Sequence, residues 1–210
     1  MSFLAFFTAL FSVINPLGAI PLYISLSQHF TPSVRNEQVL KASIFVVVIL
    51  VTFLLAGTFI LNFFNITIEG MRIAGGLMII RSAYNMLDGN FKKGKAISAK
   101  VEEEAMTKED ISFSPLAMPM LAGPGSISLI ISTSAGISNP IEYAYIILAI
   151  LLLSLSVYII FRFSPLLFAR IGQGGLSALQ RIMGFIVLTV GIQFIINGIS
   201  PIVKMLLKGV

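Results

Sequence analysis

Six long apolar segments, separated by short polar stretches, account for most of the sequence. A helix needs about 20 mostly apolar residues to cross the hydrocarbon core of a bilayer, and each segment is of that order. The pattern therefore predicts six transmembrane helices in a single membrane domain, 1–210. The predicted spans are 3–26, 39–62, 66–88, 113–135, 142–163 and 177–199.

Two of the six segments carry helix-breaking residues near their centres. The first contains Asn15-Pro16-Leu17-Gly18, and the fourth contains Ala122-Gly123-Pro124-Gly125-Ser126. Proline donates no backbone hydrogen bond, and unpaired backbone groups in hydrocarbon are costly. Such breaks are therefore tolerated only where protein or a water-filled cavity satisfies the backbone. We expect discontinuous helices 1 and 4, with Asn15 capping the helix that restarts at Pro16.

The two halves of the sequence resemble each other. When Pro16 is matched with Pro124, segment 72–75 (Arg-Ile-Ala-Gly) falls within one residue of segment 181–184 (Arg-Ile-Met-Gly). Each half then holds three spans, and because three is odd, the second half enters the membrane from the opposite side. This predicts an all-α integral membrane protein made of two inverted three-helix repeats, with chance similarity between apolar segments as the alternative. The predicted parts are repeat one at 1–89, a charged loop at 90–112 and repeat two at 113–210.

The composition excludes several function classes. Hydrophobic residues make up 57% of the chain and charged residues 11%, with a mean hydropathy of +0.97, so no water-soluble domain is expected. The chain has no cysteine and a single histidine, His29, which leaves few groups for catalysis or metal binding. We therefore expect no enzyme, no metal site and no cofactor.

The basic residues indicate the orientation in the membrane. The net charge of +5 comes from residues in the connecting segments, such as Arg35, Lys41 and the lysines of 90–112, rather than from a nucleic-acid-binding surface. These segments lie on one side of a six-span protein, and cytoplasmic loops carry the excess of Lys and Arg. The loop 90–112 is therefore predicted to be cytoplasmic, and both termini are predicted to be outside.

The two breaks indicate a small binding site near the midplane. The N-terminal ends of the restarted helices carry free N–H groups and the positive end of the helix dipole, which suit a carboxylate. Gly123 and Gly125 allow a ligand close to the backbone, and Ser126 adds a hydroxyl. A small zwitterion fits such a site; the alternative is two packing kinks. On the first hypothesis, Gly125→Val places its side chain in an open cavity and abolishes transport without unfolding the protein.

Other polar residues and glycines within the spans have simpler interpretations. Arg81 is expected to extend to the nearer membrane surface or to pair with Asp88 rather than to contact a substrate. Gln193 and Asn197 either line a cavity or hydrogen-bond between helices. The glycines predicted to serve helix packing are Gly75, Gly76, Gly184 and Gly191.

The paired motifs, the two Arg-Ile segments and the charged central loop resemble the MarC family of bacterial and archaeal membrane proteins, over the whole chain. The resemblance implies a relation to SnatA-like transporters of small neutral amino acids, and a wider grouping with the LysE exporters. It also implies which residues form the substrate site. They are Asn15, Pro16, Gly18, Gly123, Pro124, Gly125 and Ser126.

The resulting hypothesis is a secondary transporter of small neutral amino acids of the glycine, alanine and serine class, working by alternating access across the cytoplasmic membrane. Because the chain has no ATP-binding motif, an ion gradient of protons or sodium is expected to drive it. The alternatives are an exporter of amino acids or other small solutes, and a non-transporting membrane scaffold. The expected partners are the amino acid and the lipid bilayer, without nucleic acid. The sequence does not indicate which oligomeric state the protein has.

Overall fold

A computed structural model of the protein describes residues 2–88, 110–137 and 139–208, and the regular structure in these ranges is helical. Most of the predicted cytoplasmic loop 90–112 lies outside the described residues. The helices are α1 (Phe3–Ile14), α2 (Pro16–Leu26), α3 (Pro32–Phe63), α4 (Ile68–Leu87), α5 (Ser112–Leu121), α6 (Pro124–Ser134), α7 (Pro140–Arg162) and α8 (Ser164–Lys208).

Four stretches in the described ranges are long and apolar enough to cross a membrane, namely Phe3–Leu26, Pro32–Phe63, Pro140–Arg162 and Ser164–Leu207. Helices α5 and α6 are bent by 65° at their junction, and the pair makes a fifth candidate span if it is counted as one. The third predicted span forms α4, but α4 is not among the candidates, since Arg72 and Arg81 lie within its 20 residues and lower its hydropathy. Length and composition thus support four or five spans, and the predicted six are not confirmed.

Helices α3 and α7 form the centre of the larger hydrophobic core, with α1, α2, α5 and α6 packed around them. The ring of Tyr23 on α2 stacks on that of Phe161 on α7, with centroids 4.8 Å apart. The Ser154 hydroxyl of α7 donates a hydrogen bond to the Ser43 carbonyl of α3 at 2.8 Å. Both contacts join the two halves of the chain, so one core holds the halves together.

Helices α4 and α8 pack against each other in antiparallel directions, through glycines. A Cβ atom added to Gly76 would lie 2.8 Å from the Gly191 carbonyl oxygen. Cβ atoms at Gly184 and Gly198 would lie 3.3 and 2.8 Å from carbonyl oxygens of α4. Because lipid is as apolar as the side chains, close van der Waals contact between small residues holds such helices together. The packing role predicted for Gly76, Gly184 and Gly191 is confirmed.

Gly75 performs the same role between α4 and α6. A Cβ atom there would lie 1.9 Å from Ser128 Oγ, and this hydroxyl donates to the Met71 carbonyl at 2.9 Å. The absence of a side chain at Gly75 therefore lets α6 approach α4 closely enough for a hydrogen bond between the helices. The predicted packing role of Gly75 is confirmed as well.

Helix α8 contains one sharp kink. Gly172 has φ 67° and ψ 179°, a backbone conformation that only glycine adopts without strain. The predicted sixth span, 177–199, is the part of α8 beyond this kink, and the eight residues before it continue from the end of α7.

The start of α5 is attached to α3. Gln38 Oε1 accepts a hydrogen bond from the Ile111 N–H at 2.9 Å, and Lys41 Nζ lies 3.6 Å from Asp110 Oδ2. Burial alone would raise the pKa of Asp110, but hydrogen bonds from Ser112 and the nearby Lys41 ammonium group outweigh it and lower that pKa below its usual value. The contact therefore persists at neutral pH and weakens only as the pH falls through the lowered pKa.

We predict that Gly76→Ala destabilises the protein. The added Cβ atom would lie 2.7 Å from Ile195 Cγ1 and 2.8 Å from the Gly191 carbonyl oxygen, and a backbone atom cannot move away cheaply. Overpacking of this kind costs about 1–3 kcal/mol, which thermal unfolding in detergent would detect. Gly174→Ala is the control, because nothing lies within 4 Å of its Cβ position. Equal melting temperatures for the two variants would contradict the assigned packing.

Candidate functional site

The first break lies at Asn15, the single residue between α1 and α2. Its backbone is left-handed (φ 46°, ψ 67°), a conformation that asparagine tolerates better than most residues. The Asn15 N–H donates to the Phe11 carbonyl (2.7 Å) at the end of α1, and Asn15 Oδ1 accepts from the Gly18 N–H (3.1 Å) at the start of α2. The predicted cap is confirmed, with Pro16 as the first helical residue.

Gly18 leaves room for this cap. A Cβ atom at Gly18 would lie 2.1 Å from Asn15 Nδ2, so a larger residue would displace the capping side chain. The Gly18 carbonyl accepts a hydrogen bond from Gln180 Nε2 on α8 at 3.0 Å, and Gln180 is only 3% exposed. The first break is therefore fixed by a contact from the opposite half of the chain.

The Asn15 amide nitrogen has only a weak partner. Asn15 is 2% exposed, and its Nδ2 lies 3.4 Å from Met86 Sδ on α4. A thioether sulfur is a weak acceptor, and a buried donor without a strong partner costs about 1–3 kcal/mol. A carboxylate would therefore satisfy this amide better than Met86 does.

The second break separates α5 from α6. Gly123 precedes α6 in an extended conformation (φ −86°, ψ 178°), and no side chain caps the helix. The Ser126 hydroxyl donates to the Gly123 carbonyl at 2.9 Å, an oxygen that also accepts from the Ile127 N–H at 3.1 Å, so this hydroxyl contacts a carbonyl rather than capping an amide. The first amides of α6 thus lack the side-chain partner that Asn15 provides for α2.

A cavity of about 190 Å³, called here the small cavity, lies at the start of α6. Four predicted site residues line it, namely Gly123, Pro124, Gly125 and Ser126. The other three are buried and do not line it, namely Asn15, Pro16 and Gly18. Val13 of α1 also lines this cavity. The structure thus brings the second-half residues to a cavity and leaves the first-half residues in the packed core beside it.

Three polar residues of α4 that the sequence analysis did not assign to the site line the small cavity, namely Arg81, Ser82 and Asn85. Arg81 forms no ion pair with a described carboxylate, so the predicted pairing with Asp88 is not seen. Arg81 and Asn85 are one helical turn apart, so they share a face of α4. This spacing could have identified them as candidate site residues. The described residues contain no group of His, Asp and Glu suited to hold a metal ion.

A second cavity of about 830 Å³, called here the large cavity, lies near the ends of the chain. Phe3 and Lys204 both line it, so the first and last helices reach the same end of the molecule. Gln193 and Asn197 line it too, and Gln193 Nε2 donates to Asn197 Oδ1 at 2.9 Å. Their predicted cavity position is confirmed, whereas their hydrogen bond lies within α8 and not between helices. None of the seven predicted site residues lines this cavity.

Only about one helical turn separates the two cavities on each of three helices, α1, α6 and α8. The pairs of lining residues, large cavity first, are Ala9 and Val13, Leu129 and Gly125, and Val190 and Val187. Val13 and Ile79 lie close to Gly125 and belong to, or pack against, a small apolar cluster between α4 and α8. We call Val13, Ile79 and Gly125 the apolar seal.

The surroundings of Gly125 differ from those expected from the sequence. A Cβ atom at Gly125 would lie 2.8 Å from Ile79 Cγ1 and 3.3 Å from Val13 Cγ1. The side chain of Gly125→Val would therefore meet these neighbours, although Gly125 itself borders the small cavity. The open space expected around this side chain is not found, because Gly125 serves packing as well as the cavity.

We predict that Gly125→Val is destabilised by about 1–3 kcal/mol and that Ile79→Ala partly relieves it. Ile79→Ala alone should cost about 2–5 kcal/mol, but the double variant should lose at least about 0.5 kcal/mol less than the two single losses combined. Thermal unfolding of the four proteins in one detergent measures this coupling. Gly125→Val with Ile202→Ala, at an exposed position near the end of α8, is the additive control. If the losses of stability were additive in both double variants, the contact between Gly125 and Ile79 would be absent.

Comparison with known proteins identifies the family. Residues 1–203 match the model of the "MarC family integral membrane protein". The inner membrane protein MarC of Citrobacter koseri is 37% identical, over 90% of this chain and 90% of its own length. The membrane protein YhcE of Escherichia coli K12 is 37% identical, over 97% of this chain and 94% of its own length. A membrane protein of Pyrococcus abyssi is 36% identical, over 95% and 94%. No solved structure matches this chain significantly.

These relatives cover nearly the full chain, and several are named as inner membrane proteins. With its apolar spans, the protein is a multi-pass protein of the inner membrane. The chain belongs to the MarC family of integral membrane proteins.

Proposed function

We propose that the protein is a secondary transporter of small neutral amino acids that works by alternating access. The observation that carries the proposal is the pair of cavities, one at the second helix break and one near the ends of the chain, separated by about one turn of α1, α6 and α8. A transporter of this type needs access paths from both ends that stop short of each other at the substrate site. A scaffold has no need of two such cavities.

The proposed substrate site combines the second break with the first. Arg81 and the first residues of α6, whose amides have no side-chain cap, line the small cavity and would bind the carboxylate. Asn15 would add its amide when the weak Met86 contact is released. The cavity is small, about 190 Å³, which suits a small amino acid such as glycine, alanine or serine.

We also propose that the molecule is an inverted repeat of six spans with discontinuous helices 1 and 4. Helices α4 and α8, which are equivalent in the two repeats, pack in antiparallel directions, and both chain ends lie at one end of the molecule. The large cavity lies beside α1 and α8, and the small cavity lies beside their equivalents, α5 and α4. This correspondence supports two related access paths, one in each repeat.

An ion gradient is the proposed energy source, with protons and sodium as the two candidates. The residues that line the small cavity include no carboxylate, so the coupling ion is expected to bind backbone carbonyl groups or the substrate itself.

Uptake of labelled glycine and alanine into proteoliposomes, with an imposed proton or sodium gradient, tests the proposal. We predict saturable uptake that excess unlabelled alanine inhibits and excess leucine does not. Arg81→Gln should raise the KM for glycine about tenfold or more, because a charge-assisted hydrogen bond contributes about 1.5–3 kcal/mol. Arg170→Gln is the matched control, since Arg170 is exposed and lines neither cavity.

Absence of uptake under every gradient, by protein of normal stability, would contradict transport of these amino acids. Equal effects of the two arginine substitutions would remove Arg81 from the site. Efflux from preloaded vesicles, measured with the same variants, separates an exporter from an importer.

A further inference from the structure

Two chemically different sets of residues line the large cavity. One set is aromatic and consists of Phe3, Phe6, Tyr145 and Phe194. The other set is polar and consists of Arg72, Glu142, Gln193, Asn197 and Lys204. A lipid-filled crevice would not require the polar set, and a purely aqueous vestibule would not require the aromatic one. The lining is therefore suited to an amphipathic molecule with one apolar and one charged part.

The charges among the polar lining residues favour an anionic group. Arg72 and Lys204 extend from two different helices, and neither forms an ion pair with a described carboxylate. Glu142 lies in the first turn of α7, where its charge is stabilised by the positive end of that helix. Two cationic residues without a described ion-pair partner therefore line this cavity. An arginine guanidinium group binds carboxylates well.

We propose that the large cavity is a second binding site, specific for a carboxylate that carries an aromatic group, such as an aromatic amino acid. Its volume of about 830 Å³ accommodates such a molecule, whereas the described residues that line the small cavity of about 190 Å³ include no aromatic ring. The ligand would place its carboxylate at Arg72 and Lys204 and its ring among Phe3, Phe6 and Phe194.

One consequence rests on the proposed transport function. The large cavity ends about one helical turn from the small one on α1, α6 and α8, so an aromatic amino acid bound there would block one access path without passing the apolar seal. It would inhibit uptake of glycine from that side and would not itself be carried. Binding in the large cavity does not depend on transport and can be measured separately.

The chain has no tryptophan, so L-tryptophan can be excited selectively at wavelengths that the five tyrosines do not absorb. Purified full-length protein in detergent should shift the emission of L-tryptophan to shorter wavelength in a saturable manner. Phenylalanine and 3-phenylpropionate, which share the ring and the carboxylate, should compete with it, and glycine should not. Phenethylamine, which lacks the carboxylate, should compete at least tenfold more weakly.

Two variants test the cationic groups. Arg72→Gln should weaken tryptophan binding about tenfold or more, and Lys204→Gln should weaken it by a smaller factor. Lys204 is exposed near the end of α8, so its substitution leaves the fold intact even if Arg72→Gln does not. Arg170→Gln, which lines neither cavity, should bind tryptophan as the unmodified protein does.

The absence of a saturable shift, or equal binding by Lys204→Gln, Arg72→Gln and Arg170→Gln, would overturn the proposal. In nanodiscs, loss of binding with phosphatidylglycerol but not with phosphatidylcholine would also overturn it, because an anionic lipid head group would then occupy the cavity. Tryptophan binding without glycine uptake would support this site and contradict the transport function. Glycine uptake without tryptophan binding would support the transport function and contradict this site.

Discussion

The capping of α2 by Asn15 is the interaction on which the first half of the molecule depends. At the depth of a bilayer no water is available to satisfy an interrupted helix, so the protein must supply every partner itself. Asn15 does this with one residue: its backbone N–H ends α1 and its side chain starts α2. Gly18 leaves the space for that side chain, and Gln180 satisfies the carbonyl that follows.

The second break meets the same constraint in a different way. The Ser126 hydroxyl donates to the Gly123 carbonyl, no side chain caps the start of α6, and the residues there line the small cavity. The first break is therefore closed and the second is open to a ligand. This inequality, together with cavities of about 830 and 190 Å³ on the two sides, is what an inverted repeat caught in one of two conformations would present.

The local chemistry of the breaks could be predicted from the sequence because it depends on neighbouring residues. Asn15, Pro16 and Gly18 are adjacent, so the cap and the start of α2 follow from propensities alone. The contacts of Gly125 could not be predicted, since Val13 and Ile79 come from α1 and α4 and meet it only in the folded protein. The glycine contacts between α4 and α8 could be predicted in part. The sequence indicated that these glycines serve helix packing, but not which residues they contact.

The cavities depended on contacts that no segment encodes by itself. Arg81 was expected at the membrane surface because a lone arginine in a span usually reaches outward, and its position beside α6 became evident only from the packing of α4. The large cavity draws on five helices, from Phe3 of α1 to Lys204 of α8, and no motif marks it. The hydropathy pattern also counted α4 as a span, although its arginines make it the most polar of the six segments.

Access to the two cavities from the two sides of the membrane is the most direct test of the account. The chain has no cysteine, so Val190→Cys in the large cavity and Ser82→Cys in the small one each provide a single reactive thiol. A membrane-impermeant thiol reagent, applied from either side of proteoliposomes, reports which side reaches each position. The account predicts access to the two cysteines from opposite sides, with glycine changing their reactivities in opposite directions. Access to both cysteines from the same side, or reactivities that rise and fall together, would contradict it.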